Sequence, residues 1–207
     1  MRSIKLPYVF LIIFFGCTQH TQNVIETFVV PADTMPVYQA IPNQPPPPPP
    51  VRTYYFVSNF LIDTAEQIFF YQREQNGWFC GTGIKWNTPP AFIDLQPMNI
   101  IQIPTDNIEA FIKLNILNID SANRYVSIGS TQDTVKSIGL TKIIKLFKEK
   151  TNHIRWRFRK VTQEEAIVLD YKKRQASYYA DAIKWDSTKT LFPPSIDDMI
   201  KFTPPKI

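Results

Sequence analysis

Three arginines alternate with aromatic residues in the run Arg155-Trp156-Arg157-Phe158-Arg159. Successive side chains of a strand point to opposite faces, so this spacing puts three guanidinium groups on one side and Ile154, Trp156 and Phe158 on the other. The apolar row belongs against a core. Neighbouring guanidinium groups repel one another unless carboxylates or an anionic ligand lie opposite, and their planar donor fork suits bidentate carboxylate or phosphate. Arg155, Arg157 and Arg159 are therefore candidate ligand-binding residues. An exposed strand pairing with local Glu and Asp accounts for the same pattern.

A second constellation is Trp78-Phe79-Cys80-Gly81-Thr82-Gly83. A cysteine nucleophile needs a base, and His153 is the one histidine available in the folded part. Cys80 also reads as a small buried hydrophobe beside a bulge that needs glycine. The carboxylate pairs Asp197-Asp198 and Glu164-Glu165 are adjacent in sequence, so in a helix their side chains diverge and neither pair is poised to share a substrate. Two distant histidines and one free cysteine make no recognisable zinc site. Neither a metal nor a cofactor is expected.

Arg2 and Lys5 precede an apolar stretch over residues 6–15 that is broken only by Pro7, and Gly16-Cys17 follows. About 20 apolar helical residues are needed to cross a bilayer, so this stretch is too short for a stable span and reads as a secretory signal. Phe14-Phe15-Gly16-Cys17 resembles the lipobox of bacterial lipoproteins, with Phe14 where Leu is usual. The resemblance covers residues 1–17 and implies that Cys17 is diacylglycerol-modified, becomes the new N-terminus and is acylated again. A plain cleaved signal or an N-terminal anchor is the alternative. Thr18-Gln19-His20-Thr21 carries no Asp after the cysteine and no acidic run, which by the same resemblance implies an outer-membrane lipoprotein facing the periplasm.

Of 207 residues, 44% are apolar, enough for a real core and incompatible with a wholly disordered chain. Eighteen prolines against six glycines point to proline-rich stretches beside a glycine-poor folded part, and make glycine-dependent phosphate cradles improbable. The net charge of +5 includes Arg2 and Lys5 of the leader; the remaining 21 basic and 18 acidic residues leave +3, too mild to argue for nucleic acid. With Cys17 lipidated, Cys80 has no intramolecular partner and is expected to be a buried thiol. Without lipid, a Cys17 to Cys80 disulfide becomes possible.

The order of elements follows from periodicity. Residues 53–62 and 67–72 are aromatic and β-branched around Asp63-Thr64-Ala65-Glu66, which predicts a hairpin. A kinked strand is expected over residues 78–86 and a short extended piece over 99–103. Asp106 and Glu109 resemble a capping box before Ile108, Phe111 and Ile112. Leu140, Ile143, Ile144 and Phe147 have helical spacing between the predicted strands 124–128 and 153–161. Thr162-Gln163-Glu164-Glu165 opens a last helix, to about residue 177. The reading is an α+β fold: a single antiparallel or mixed sheet with about three covering helices. Residues 1–16 are a signal peptide and 17–51 a lipid-anchored tether ending in the polyproline run 45–50; 52–192 form the globular domain and 193–207 a proline-rich tail.

No catalytic signature emerges from this pattern, so the expected role is a membrane-anchored, non-catalytic envelope lipoprotein that contacts an envelope protein assembly or cell-wall component. Lipid head groups, acidic glycan or peptidoglycan stem peptides are ligand chemistries for the arginine row. The alternative is an envelope hydrolase acting on peptidoglycan or peptide with Cys80 and His153.

Overall fold

A computed structural model of the chain describes residues 25–31, 54–73 and 89–192. Seven strands and three helices follow in the order β1 (Thr27–Val29), β2 (Ser58–Ile62), β3 (Ile68–Gln72), β4 (Ile101–Ile103), α1 (Ile108–Asn115), β5 (Tyr125–Ser130), β6 (Thr134–Lys136), α2 (Ile138–Lys148), β7 (Arg155–Lys160) and α3 (Gln163–Arg174). Five strands make a mixed sheet in the order β4-β3-β2-β5-β7, and β1 pairs with β6 in a separate antiparallel ribbon. The fold is α+β, with two sheets rather than one.

The β2–β3 hairpin turns over residues 63–66. Asp63 fixes this turn by accepting from the amides of Ala65 and Gln67, with Glu66 left-handed at φ 60°. On the other flank of β2, strands β5 and β7 run parallel to it. All five residues of β2 are buried, as expected for a central strand covered on both faces. The polar Asn59 is tolerated there because it accepts from the Phe56 amide and the Ser127 hydroxyl and donates to the Phe56 carbonyl.

One face of the sheet carries Phe60, Ile62, Phe70, Val126 and Ile128 against Ile108 and Ile112 of α1 and Leu140, Ile143, Ile144 and Phe147 of α2. Phe60 and Phe70 lie 5.0 Å apart, and Phe111 meets Phe70 at 4.8 Å in an edge contact. Gly139 permits α2 to approach β3: an added Cβ would stand 2.3 Å from Ile68 Cδ1. The opposite face carries Leu61, Phe69 and Tyr71 against Val168 and Leu169 of α3, with Tyr55, Leu95 and Ile100 completing that layer.

Two expectations are corrected. Helix α1 starts after a short 3-10 turn at Thr105–Asn107, and its N-cap Asn107 makes no side-chain cap bond, so Asp106 and Glu109 form no capping box; Glu109 instead pairs with Lys113 one turn on, at 2.7 Å. The folded body does not begin at residue 52. Phe28 and Val30 are buried in the first core, Phe28 stacks 5.7 Å from Phe158, and Val30 donates to the Asp133 carbonyl. Burial of these two side chains is the physical reason that residues inside the expected tether belong to the body, leaving the polyproline run between β1 and β2 in the chain. The signal peptide, the strand expected over 78–86, Cys17, Cys80 and the tail from 193 lie outside the described residues.

Candidate functional site

Alternation holds along β7: Trp156 and Phe158 pack on the first core, and the arginines point to the α3 side. They do not form an open row of three. Each lies over an aromatic ring at about 5 to 6 Å: Arg155 on Tyr125 at 5.0 Å, Arg157 on Phe56 at 4.8 Å and Arg159 on Tyr55 at 5.6 Å. Arg155 also donates to the Tyr125 hydroxyl. Depth grades steeply, from exposed Arg155 through half-buried Arg157 to Arg159, which is 3% exposed.

Arg159 grips Glu165 bidentately, Nη1 to Oε2 at 2.6 Å and Nη2 to Oε1 at 2.5 Å. The helix that follows β7 after two residues brings this carboxylate back over its own strand. Glu165 accepts also from the Thr162 amide at 2.8 Å and from the Tyr71 hydroxyl at 2.6 Å, while the Thr162 hydroxyl accepts from the Glu165 amide. The expected capping box is therefore present, and its carboxylate is shared with an arginine and a tyrosine. Room for the pair comes from Gly129, opposite Arg159 on β5, where an added Cβ would lie 3.2 Å from Arg159 Nη1 and 3.1 Å from Val161 Cγ1.

Electrostatics matches the geometry. Burial alone would push the Glu165 carboxyl up, but the Arg159 charge and the donors around it hold it below the usual range. For Arg159 burial opposes the charge, and Glu165 outweighs it, so the guanidinium stays charged. Burial, then the Glu165 charge, raises both Tyr71 and Tyr55. This is a buried ion-pair network in which both terminal nitrogens of Arg159 and both oxygens of Glu165 are engaged, while Arg159 Nε has no hydrogen-bond partner among the described residues. Arg159 is thereby corrected as an anion ligand: the carboxylate that its fork suits is supplied by the chain itself.

Glu164, the neighbouring carboxylate, is fully buried and accepts from the amides of Ile93 and Leu95 at 2.9 and 2.7 Å. These bonds fasten the segment before β4 to the first turn of α3. Burial pushes the carboxyl up to about 7 against the pull of the two amides, with Glu165 and Asp94 adding to the rise. Between about pH 4.5 and 7 the unfolded chain has released this proton while the folded chain keeps it, so stability falls with rising pH across that window and levels off above it. Glu164→Gln is expected to abolish this fall, worth on the order of 2–3 kcal/mol from the size of the displacement. Urea unfolding of both proteins at pH 5 and 7.5 measures it; an identical pH dependence in the two would refute it.

A groove lies on the α3 face, away from the arginine stacks. It encloses about 630 Å³ between β3, β4, the 3-10 turn Pro97–Asn99 and the last turns of α3. Phe69, Met98 and Tyr171 give it apolar walls, and Gln102 and Lys172 are among its polar groups. Met98 is 81% exposed, and β4 beside it is the terminal strand of the sheet, with Ile101 and Gln102 turned to solvent. Sequence reasoning missed this groove, since its walls come from three separate stretches of chain.

The candidate base His153 sits in an exposed left-handed turn (φ 49°) before β7, and the structure does not describe its candidate nucleophile Cys80. Among the described residues no cluster of three or more His, Cys, Asp or Glu could hold a metal ion, and no helix is long and apolar enough to cross a membrane. No protein-family model, curated protein or solved structure matches the chain.

Proposed function

We propose that the chain is a membrane-anchored, non-catalytic envelope lipoprotein of the outer membrane, facing the periplasm, whose body holds an extended acidic segment of another envelope protein in the groove beside β4. The groove is the observation that supports this reading. A peptide laid along β4 continues the sheet through main-chain bonds, places alternate apolar side chains on Phe69, Met98 and Tyr171, and brings acidic groups to Lys172. Charge complementarity selects the occupant, because Lys172 lines one wall, its neighbour Lys173 being already paired with Asp63 at 2.5 Å, and among the described residues no acidic side chain lines the groove. Anchoring rests on Gly16-Cys17 and the apolar stretch before it.

The test joins both parts. Wild-type protein extracted from cells is expected to carry acyl mass that Cys17→Ser loses, and to move from the membrane to the soluble fraction with that change. A photo-crosslinking residue at position 98 is expected to trap a discrete protein, with the yield reduced more than fivefold by Lys172→Glu. The same probe at Lys189, beside the first turn of α3, is expected to trap none. Equal yields from positions 98 and 189 would refute the groove, and an unmodified Cys17 would refute the anchor.

A further inference from the structure

The first described residue of the chain, Ile25, lies eight residues after Cys17, and an extended chain covers at most about 3.6 Å per residue, or about 29 Å in all. Strand β1 is fixed to the body immediately afterwards, so an anchor at Cys17 brings one particular side of the molecule to the bilayer. That side is the β1–β6 ribbon with the flank of α2 beside it. Thr27 pairs with Lys136, the Glu26 amide donates to Thr141 Oγ1 at 3.2 Å, and Glu26 and Lys148 approach to 3.4 Å.

The outward surface there has two properties that occur together. Val29 is 70% exposed, and Ile25 and Ile138 are exposed as well, although each adjoins residues that reach the core. Lys136 on β6 and Lys145 and Lys148 on α2 are exposed on the same two elements; Glu26 is paired with Lys148, and Lys145 also acts on the charge of Glu109 of α1. Neither Lys136 nor Lys145 has a carboxylate within ion-pair distance among the described residues. Isolated apolar residues rimmed by lysine are what an anionic lipid surface accommodates: the apolar groups enter the head-group boundary and the cations remain with the phosphates.

We infer that the β1–β6 ribbon and the adjoining flank of α2 form a docking face for an anionic lipid bilayer, with Ile25, Val29 and Ile138 entering the interface and Lys136, Lys145 and Lys148 contacting head groups. This rests on the anchored-lipoprotein reading for its orientation but acts through residues of the folded body. The face fixes how the anchored domain lies on the membrane and leaves the groove beside β4, on the opposite side of the sheet from α2, free for a partner.

The mature-length chain carrying Cys17→Ser, which has no lipid of its own, isolates the face. In co-sedimentation it is expected to bind phosphatidylcholine vesicles containing phosphatidylglycerol and not pure phosphatidylcholine, with binding falling as salt is raised. Each lysine near a charged surface contributes about fivefold in affinity, so Lys136→Glu with Lys145→Glu is expected to weaken binding at least 25-fold. Val29→Asp is expected to weaken it further, and Lys172→Glu with Lys189→Glu, on other surfaces, to change it less than a single patch lysine. Equal binding to both vesicle types, or equal losses from the patch and control pairs, would overturn the inference. Intact-mass measurement of the wild-type protein separates the two readings: vesicle binding with an unmodified Cys17 sinks the anchor and keeps the face, whereas a lipidated Cys17 without vesicle binding by the Ser variant sinks the face alone.

Discussion

Replacing Arg159 by methionine is expected to cost about 3–5 kcal/mol, because it leaves the Glu165 carboxylate charged and without its main counter-ion inside the protein. Glu165 is 0% exposed and cannot turn to water. Its remaining donors are the Thr162 amide and the Tyr71 hydroxyl, which do not offset the loss of a bidentate guanidinium. Glu165→Gln is expected to be of similar severity, since it strands Arg159 in turn. The double variant with both changes should cost clearly less than the two single costs added, the signature of groups that share one interaction. Arg155→Met, at the exposed end of the same row, should cost less than about 1 kcal/mol. Urea unfolding gives all four values. An Arg159→Met cost as small as that of Arg155→Met would mean that the pair does not hold β7 to α3.

Cutting the chain at residue 52, where its composition first turns globular, is expected to produce a protein that is barely stable. That cut removes Phe28, 9% exposed, and Val30, 3% exposed, together with the strand that pairs with β6. Burying side chains of this kind contributes roughly 1.5–3 kcal/mol each, so the loss is about 3–6 kcal/mol against a typical total of about 5–15 kcal/mol. It also uncovers Phe158 and Val135, which pack with Phe28, and leaves β6 without a partner. Comparing unfolding midpoints of chains that begin at residue 17 and at residue 52 tests this. Equal midpoints would show that β1 is an ornament.

Why the sequence revealed some elements and concealed others follows from how much local pattern each carries. Helix α2 was legible because Leu140, Ile143, Ile144 and Phe147 repeat at helical spacing within its eleven residues, and all four are buried. The β2–β3 hairpin announced itself by two aromatic runs on either side of a polar turn. Helix α3 was found by its capping box, although its buried apolar stripe consists of Val168 and Leu169 alone. Three-residue strands offer no period, so β1 disappeared into a polar, proline-bearing stretch and β6 into a loop.

Within the candidate sites, alternation told which side Arg159 faces but not how deep it lies; depth depends on Tyr55, Tyr71 and Glu165, the first two some ninety residues or more away in sequence. Glu164 was explained as part of a cap, whereas its burial follows from the backbone of Ile93 and Leu95, which no pattern at residue 164 announces. A carboxylate beside another at a helix start carries the same local signature whether it faces water or two amides.

The pairing of β1 with β6 sets an order of events when the chain acquires its structure. Phe28 lies opposite Val135 and rests on Phe158, so the strand made earliest has no place to settle until more than a hundred later residues have arrived. Contacts this distant in sequence are slow to form, because a long stretch of chain must be closed before they reward it. A newly made chain therefore passes through an interval in which Phe28 and Val30 stand bare.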